Sequence, residues 1–233
     1  MIGSLINCAA ILLGAGLGLL LRGGISQRFR DTLMQGLALC VLLIGVRGAI
    51  QTEDVMIPIL CMVLGGLLGE GVNIERHLQR LGDGAQRLFA RKGGDSRFSQ
   101  GFVTASLVYC VGAMAIVGAL DSGLRGDHTT LVAKSALDGV SAVVFASTMG
   151  PGVALSGLAV LLYQGAIALL AQQVAPFLTP EVIREMSAVG GLLIIGISAN
   201  MLGFIKLRIG NLLPAIFLPL VMLPLMRWFA QVF

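Results

Sequence analysis

The run GSLINCAAILLGAGLGLLL, residues 3–21, carries no charged side chain, and Arg22 follows it directly. A helix needs about 20 largely apolar residues to cross the hydrocarbon core of a bilayer. The run has this length and composition, and the polar sequence Arg22-Gly23-Gly24 suits a helix end at a membrane surface. It therefore predicts a transmembrane helix at the start of the chain.

Comparable apolar runs follow along the whole chain. They predict an all-α fold, a polytopic membrane helix bundle with about eight transmembrane helices in a single transmembrane domain, residues 1–233. The predicted helices are 3–21, 32–50, 55–70, 101–120, 130–149, 152–175, 183–204 and 210–231.

The composition supports a membrane protein. Of the 233 residues, 56% are hydrophobic and 12% are charged, whereas soluble domains carry roughly 25% charged residues. The formal charge of +4 does not indicate nucleic-acid binding, because the basic residues lie in the short gaps between apolar runs. Aromatic side chains, at 6%, also offer few platforms for stacking bases. We expect membrane lipid as a partner and no nucleic acid.

The basic residues also predict the orientation in the membrane. Cytoplasmic loops carry an excess of lysine and arginine. If the polar stretch 71–99 is cytoplasmic, the alternation of eight helices places loops 22–31 and 205–209 inside as well, and the acidic loop 51–54 outside. We expect a protein of the bacterial cytoplasmic membrane with both termini outside. The basic residues of the longest loop are Arg76, Arg80, Arg87, Arg91, Lys92 and Arg97.

The stretch 71–99 is more than a simple loop. Its residues Ile74, Leu78 and Leu81 have the i, i+4, i+7 spacing of one helix face, and charged residues fall on the other faces. This pattern predicts a short amphipathic helix in the inner membrane interface. It is either a topological anchor or a segment that binds a regulator or partner.

A weak internal repeat relates the two ends of the chain. Residues 7–45 align without gaps to 158–196, so that Gly14 falls on Gly165 and Gly45 on Gly196. The first three predicted helices then match the last three, and an offset of five helices makes the two units run in opposite directions. Inverted repeats of this kind build many secondary transporters, which bind substrate where the repeats meet near the middle of the membrane.

The usual enzyme motifs are absent. The two histidines, His77 and His128, lie in polar loops, and there is no HExxH, CxxC, GxSxG or phosphate-binding loop. We therefore expect no catalytic residue, no metal site and no cofactor, and we do not expect an enzyme. The glycines of Gly14-Ala15-Gly16-Leu17-Gly18 and of Gly65-Gly66 with Gly69 predict faces where helices pack closely.

The strongest functional signal lies in the predicted helix 130–149. Lys134 and Asp138 are four residues apart and share one helix face, and Ser141 lies three residues further. A charge inside the bilayer costs about 2.5–3.5 kcal/mol on insertion scales. The two residues are either an ion pair near the outer interface, with Lys134 reaching to the surface, or groups that line a polar cavity and bind a substrate or a coupling ion.

Three amide side chains lie within apolar runs: Asn7, Gln164 and Asn200. Each is either a polar contact between helices or a contact to substrate. Together with the charged face, they give a predicted substrate- or ion-binding set of Asp138, Lys134, Ser141, Gln164, Asn200 and Asn7.

Helix breakers occur in two places. Met149-Gly150-Pro151-Gly152 joins two predicted helices with almost no polar loop, as a tight turn at the inner surface or as unwound backbone within the membrane. The last predicted helix contains Pro214, Pro219 and Pro224 and should be bent or interrupted.

Several motifs are distinctive as a set. They are GFVTASLVYCVGAMAIVG (101–118), Lys134-Ser135-x-x-Asp138-Gly139, Tyr163-Gln164-Gly165, Ala188-Val189-Gly190-Gly191, Gly65-Gly66-Leu67-Leu68-Gly69-Glu70 and the first helix with Asn7. This set resembles the bacterial membrane proteins catalogued as domain of unknown function 554, over nearly the whole chain. The resemblance implies an inner-membrane protein, sometimes labelled a transporter, and supplies no substrate.

The sequence thus favours a secondary transporter of a small solute or ion. The glycine faces and the small mass of 24.3 kDa favour a homodimer. Two alternatives remain open. A passive channel predicts a continuous polar path, and a non-transporting scaffold or sensor predicts that stretch 71–99 carries the function.

Overall fold

A computed structural model gives the fold and describes residues 1–22, 27–77, 80 and 97–232. These residues are almost all helical, and no strand occurs among them. A short 3-10 helix, Leu213–Phe217, separates the last two α-helices. The α-helices, numbered in chain order, are α1 Ile2–Arg22, α2 Gln27–Ala49, α3 Met56–Val72, α4 Arg97–Cys110, α5 Ala113–Leu124, α6 Thr129–Met149, α7 Gly152–Leu169, α8 Ala171–Val174, α9 Pro180–Met201, α10 Ile209–Leu212 and α11 Pro219–Val232.

The length and composition of these helices confirm the predicted membrane helix bundle. Five of them, α1, α2, α6, α7 and α9, contain a span long and apolar enough to cross a membrane, and up to seven spans result if each of two bent pairs counts as one. The remaining predicted segment corresponds to α3, an apolar helix of 17 residues. Every predicted helix thus coincides with an apolar helical segment, although five to seven of them meet the requirements for a full crossing.

Three predicted helices differ in detail from the structure. The segment 101–120 is not one helix, because the chain bends by 61° between α4 and α5, at Val111-Gly112. Gly112 has φ = 118°, which a residue with a Cβ rarely adopts. The segment 152–175 ends as a long helix at Leu169, and α8 continues it after a turn.

The last predicted helix is interrupted, as its prolines indicate. Helix α10 passes into the 3-10 turn Leu213–Phe217, and α11 follows at an angle of 40°. Pro214 and Pro219 lie at the beginnings of these two elements, where a missing backbone N–H costs no helical hydrogen bond. Breaks therefore occur in two different parts of the bundle, between α4 and α5 and between α10 and α11.

The junction 149–152 is a tight turn. Helix α6 ends at Met149, Gly150 takes φ = 90°, and α7 begins at Gly152. The guanidinium of Arg22, at the end of α1, lies directly against Gly150. Because α1 and α6 end at the same place, the two helices run parallel through the bundle, as the predicted alternation requires.

Glycines set the closest helix contacts and confirm the predicted packing faces. Helix α1 packs most extensively against α6, where Gly14 and Gly18 touch backbone carbonyls of Gly139 and Val143. Gly65 and Gly69 of α3 lie in the same way against Ala215 and Asn211. These faces are therefore occupied within a single chain, so they no longer argue for the homodimer, which stays a prediction.

The predicted amphipathic helix lies largely outside the described residues. Residues 78–79 and 81–96 are not among the described residues, and they include Leu78 and Leu81. Residues 74–77 are helical, and Glu75 makes contacts with the start of α10.

Candidate functional site

A buried ion pair lies at the centre of the candidate site. The ammonium of Lys134 donates to both carboxylate oxygens of Asp138, at 2.8 Å and 2.7 Å. Lys134 is 7% exposed and Asp138 is 5% exposed. The spacing of four residues on α6 places the two side chains on one helix face. Asp138 lies near the middle of α6, so the pair is inside the bundle and not at its outer edge.

Two amide side chains from other helices complete the cluster. The Asn7 amide nitrogen, on α1, donates to Asp138 Oδ2 at 3.0 Å and to Gln164 Oε1, on α7, at 3.3 Å. Asn7 and Gln164 are both fully buried. Three helices therefore place polar groups around a single carboxylate. We refer to Asn7, Lys134, Asp138 and Gln164 as the polar cluster.

Close packing of α1 on α6 positions Asn7. Gly14 and Gly18 let the backbones of the two helices touch, and Asn7 lies on the same face of α1 as Gly14, seven residues away. An asparagine is short, so its amide reaches Asp138 only because the helix axes come this close. The glycines of α1 and Asn7 are thus physically linked, because the close packing that the glycines permit brings Asn7 within reach of Asp138.

The polar cluster has unused hydrogen-bonding capacity. Asn7 Oδ1, Gln164 Nε2 and Ser4 Oγ are buried and have no hydrogen-bond partner among the described atoms. A buried polar group without a partner costs about 1–3 kcal/mol. Within the polar cluster, Asn7 Oδ1 is therefore a free acceptor and Gln164 Nε2 a free donor group. Such groups are few in native proteins, and a bound water, a bound ion or a functional role accounts for them.

Ser141 adjoins the polar cluster without bonding to its carboxylate. Its hydroxyl donates to the backbone oxygen of Asp138 at 3.0 Å. The Tyr109 hydroxyl, from α4, is near Ser141, and the Tyr109 ring packs on Phe145 with centroids 5.9 Å apart. The break between α4 and α5 is therefore close to the ion pair.

Asn200 does not join the polar cluster. Its amide donates to the Leu207 carbonyl at 2.9 Å and its oxygen accepts from the Leu207 backbone N–H at 2.8 Å. The residue therefore fixes the loop after α9, near the end of the bundle that holds Arg208 and Glu70. Of the six predicted site residues, four form the cluster, Ser141 borders it and Asn200 lies elsewhere.

Sequence reasoning missed a second buried carboxylate, Glu185 on α9. It is 1% exposed, and it accepts the Thr52 hydroxyl at 2.7 Å and the Glu53 backbone N–H at 3.3 Å. Arg184 lies 3.7 Å from it and also pairs with Glu53 at 2.9 Å. Beside an arginine at a helix start, a glutamate looks like an ordinary surface charge. Only the position of the 51–54 loop shows that it is buried.

Among the described residues, no feature of a metal centre accompanies the polar cluster. Over the described part of the chain, no three His, Cys, Asp or Glu side chains come close enough together to bind a metal ion. The chemistry available is ionic and hydrogen-bonding: an ammonium, a carboxylate and two amides shielded from solvent. Such a set suits reversible binding of an ion or a small polar solute.

Comparison with known proteins assigns the chain to a family. The family model described as "Protein of unknown function (DUF554)" matches residues 2–224. The "Uncharacterized membrane protein YdfK" of Bacillus subtilis (strain 168) is 33% identical over 223 residues, which cover 94% of each chain. The "Uncharacterized protein YqgA" of Escherichia coli (strain K12) is 32% identical over 220 residues, covering 93% of this chain and 94% of the relative. No solved structure gives a significant match.

Proposed function

The chain belongs to the DUF554 family, and we propose that it is a transporter of a small polar solute or ion in the bacterial cytoplasmic membrane. Lys134, Asp138, Asn7 and Gln164 are the proposed binding groups. The observation that carries the proposal is the meeting of these side chains, from three helices, around one buried carboxylate.

The energetics of a membrane interior support this proposal. Intramembrane charges are costly and usually mark a substrate or ion path. Replacing a buried ion pair by well-packed apolar side chains is often neutral or stabilising, so a need for stability alone is a poor reason to keep one. The unpaired Asn7 Oδ1 and Gln164 Nε2 give a solute both an acceptor and a donor beside the pair.

A binding step follows from this arrangement. A cationic group that enters the polar cluster competes with Lys134 for Asp138, and an anionic group competes with Asp138 for Lys134. In either case the ion pair opens only while the solute replaces the lost contact. A solute that also displaces Asn7 from Asp138 removes a hydrogen bond between α1 and α6, and this links binding to the contact between these helices. Exchange of this kind at mid-membrane is what alternating access requires.

Helix contacts are consistent with the proposed inverted repeat. Helices α1 and α7 contact one another, as do α2 and α9, and as do α3 and the segment 209–217. These are the three pairs that the repeat relates. A site between α1, α6 and α7 then lies where the two repeat units meet.

We also propose that both termini face outwards. The 51–54 loop meets the start of α9, and Met1 lies 3.4 Å from Ser122 at the end of α5. The basic residues Arg22 and Arg208 lie at the opposite end, with the 149–152 turn and the end of α3. The test uses single-cysteine variants in a background without the four native cysteines. Thr52→Cys should react with a membrane-impermeant maleimide in intact cells, whereas Lys206→Cys should react only after the cells are lysed. The reverse pattern would overturn this orientation.

The transport proposal is tested in two stages. Thermal unfolding of the purified protein against ions, amino acids, organic acids and nucleobases first finds a ligand, because a ligand at 100 times its Kd stabilises by about 2.7 kcal/mol. Counterflow of that ligand is then measured in proteoliposomes for the wild type, for Asp138→Asn, and for the double variant Lys134→Met with Asp138→Asn.

The double variant separates function from folding. It leaves no unpaired charge, so we expect it to fold, to lose the ligand-induced stabilisation and to lose counterflow. Full counterflow by a folded double variant would show that the polar cluster is structural. A panel without any ligand would contradict the proposal and favour a scaffold that acts through stretch 71–99.

A further inference from the structure

The polar cluster holds one positive and one negative charge, so its net charge is zero. Lys134 and Asp138 are both buried, and the groups that complete the cluster are the uncharged amides of Asn7 and Gln164. A net charge in such an interior is costly, because its low-dielectric surroundings solvate it poorly. An ion that binds to the pair by itself creates that charge. Binding of an ion therefore requires a compensating change, which a proton added to or removed from the pair supplies.

Three buried side-chain atoms in or beside the polar cluster lack a hydrogen-bond partner among the described residues. They are Ser4 Oγ, Asn7 Oδ1 and Gln164 Nε2, and all three residues are fully buried. A buried donor or acceptor without a partner costs about 1–3 kcal/mol. The fold therefore holds these groups in place for an occupant, and their donor and acceptor types indicate its chemistry.

The free acceptor, Asn7 Oδ1, suits a proton on Asp138. Asn7 Nδ2 already donates to Asp138 Oδ2 at 3.0 Å, and Oδ1 belongs to the same amide group. A neutral carboxyl has one O–H donor, which a carboxylate lacks. A carboxyl that accepts from the N–H of a primary amide can donate to the C=O of that amide at the same time. Protonation of Asp138 therefore supplies the donor that Asn7 Oδ1 lacks.

The side of the polar cluster that faces the starts of α1 and α6 is a donor side. The two helices run parallel, and Lys134 is four residues closer to the start of α6 than Asp138. On α1, Ser4 is three residues closer to the helix start than Asn7. A solute that enters from this end therefore meets an ammonium and a hydroxyl before it meets the carboxylate.

Gln164 adds a further donor on the same side. A Cβ at the next residue, Gly165, would lie 3.9 Å from Met1 Sδ, so this part of α7 is level with the start of α1. The amide nitrogen of Gln164 is unpaired. An ammonium, a hydroxyl and an amide N–H together suit an anion, because hydrogen bonds to a charged acceptor are the strong ones.

We propose that the polar cluster binds a small monovalent anion together with one proton, the anion on Lys134 and the proton on Asp138. The hydrogen bonds between Lys134 and Asp138 break, the anion accepts those of the ammonium, and the proton adds to a carboxylate oxygen. The occupied cluster is again neutral, because the anion and the proton carry opposite charges. This inference rests on the proposed function and names the substrate class and the coupling ion of the same site, which cross the membrane in the same direction.

The other titratable groups around α6 leave Asp138 as the proton acceptor. The helices packed against α6 are α1, α2, α4, α5 and α7, and α7 has no charged residue. The Met1 amino group and His128 both contact Ser122, where α6 begins. The charged residues of the packed helices lie near helix ends: Arg22, Arg28, Arg30, Asp31, Arg47, Arg97 and Asp121. The titratable residues further from the ends are cysteines and tyrosines, which are uncharged at neutral pH: Cys8, Cys40, Tyr109, Cys110 and Tyr163.

The test counts protons during anion binding. Sodium nitrate or sodium formate is titrated into the purified wild type in a calorimeter, in two buffers of different ionisation enthalpy with gluconate as the background anion. We expect one proton to be taken up with each anion at neutral pH. The apparent Kd should then rise about ten-fold for each unit by which the pH is raised. The infrared C=O band of a protonated carboxyl should appear with the anion, and it should persist in the control Glu185→Gln.

Asp138→Asn separates the anion from the proton. The asparagine resembles the neutral carboxyl, so the variant should bind nitrate without proton uptake, without the carboxyl band and with a Kd that does not change with pH. Nitrate should also raise its unfolding temperature, because the anion replaces the missing partner of Lys134. The double variant Lys134→Met with Asp138→Asn has no ammonium and should not bind nitrate. The proton count in the wild type decides the question even if Asp138→Asn does not fold.

Four results would overturn the proposal. They are anion binding by the wild type without proton uptake, a Kd of Asp138→Asn that keeps the pH dependence of the wild type, binding of ammonium or guanidinium with release of a proton, and no binding of either anion. Failure of the transport proposal looks different. Joint binding of nitrate and a proton without nitrate counterflow in proteoliposomes would contradict transport and leave this inference standing, whereas counterflow without proton uptake would do the reverse.

Discussion

The Lys134 ammonium donates to both carboxylate oxygens of Asp138, at 2.8 Å and 2.7 Å, and the two residues are four positions apart on the buried face of α6. Each charge is compensated almost entirely by the other, because both side chains are more than nine-tenths buried. Asn7 contributes a hydrogen bond but no charge.

Removing one partner of this pair should destabilise the protein far more than removing both. Lys134→Met or Asp138→Asn alone leaves the other group without its main partner, at an expected cost of about 3–5 kcal/mol in the case where the remaining group stays charged. The double variant should recover most of this loss. Unfolding in detergent by heat or denaturant measures all three, and a double variant whose destabilisation equals the sum of the single effects would contradict the pairing.

The buried Glu185 should matter more for stability than its exposed neighbour. Glu185→Gln removes a charged acceptor from the Thr52 hydroxyl and the Glu53 backbone N–H, with an expected loss of about 1–3 kcal/mol. Glu53→Gln removes an exposed ion pair with Arg184, and we expect at most about 1 kcal/mol. Unfolding temperatures of the two variants give the comparison. A larger effect at Glu53 would mean that the loop is held by its surface charges.

Two glycines in one motif should respond in opposite ways to alanine. A Cβ at Gly14 would overlap the carbonyl oxygen of Gly139, whereas a Cβ at Gly16 would meet nothing within 4 Å. We expect Gly14→Ala to cost about 1–3 kcal/mol and to weaken the Asn7–Asp138 contact by pushing α1 away from α6. Gly16→Ala should be neutral or stabilising by up to about 1 kcal/mol. Equal effects of the two variants on the unfolding temperature would mean that the α1–α6 contact is looser than described.

Acid should weaken the start of α6 through Asp127, in the loop before that helix. The Thr129 backbone N–H donates to its carboxylate at 2.9 Å, which lowers the pKa of Asp127 below its usual value. A lowered folded-state pKa stabilises the fold above the unfolded-state pKa of about 3.9, and this contribution is lost as the pH falls through the folded-state pKa. Because Asp127 is fully exposed, we expect a small effect. The unfolding temperature of Asp127→Asn should fall less steeply below pH about 4 than that of the wild type, and identical slopes would refute the assignment.

Helix positions were largely predictable from the sequence because the bilayer imposes a length and a composition on every crossing segment. The break at Gly112 was not, since a single glycine in an apolar run is also compatible with a straight helix. Its φ of 118° is a consequence of how α4 and α5 pack on α7, and that is a tertiary property. The breaks after Leu212 were foreseeable, because proline removes a backbone donor.

The candidate site, like the fold, could be predicted from the sequence only in part. The contact of Lys134 with Asp138 follows from their spacing on one helix. The participation of Asn7 and Gln164 depends on which helices are neighbours, and periodicity within a helix contains no information about that. Asn200 illustrates the limit: an amide in an apolar run serves equally well to fix a loop, and its two bonds to Leu207 do so.

The bond between Asn7 and Asp138 spans 131 residues of chain. At synthesis rates of about 5–20 residues per second, the ribosome needs roughly 7–26 s to produce Asp138 after Asn7 has been made. During this interval α1 has been made but α6 has not, so Asn7 lacks its hydrogen-bond partner Asp138, and Gly14 and Gly18 lack the helix that packs against them. Thr52 and Glu70 likewise bond to Glu185 and Arg208, which are synthesised more than a hundred residues later. The order of biosynthesis therefore leaves the first half of this protein incomplete until the second half arrives, so a chain truncated before α6 should be a ready substrate for membrane proteases.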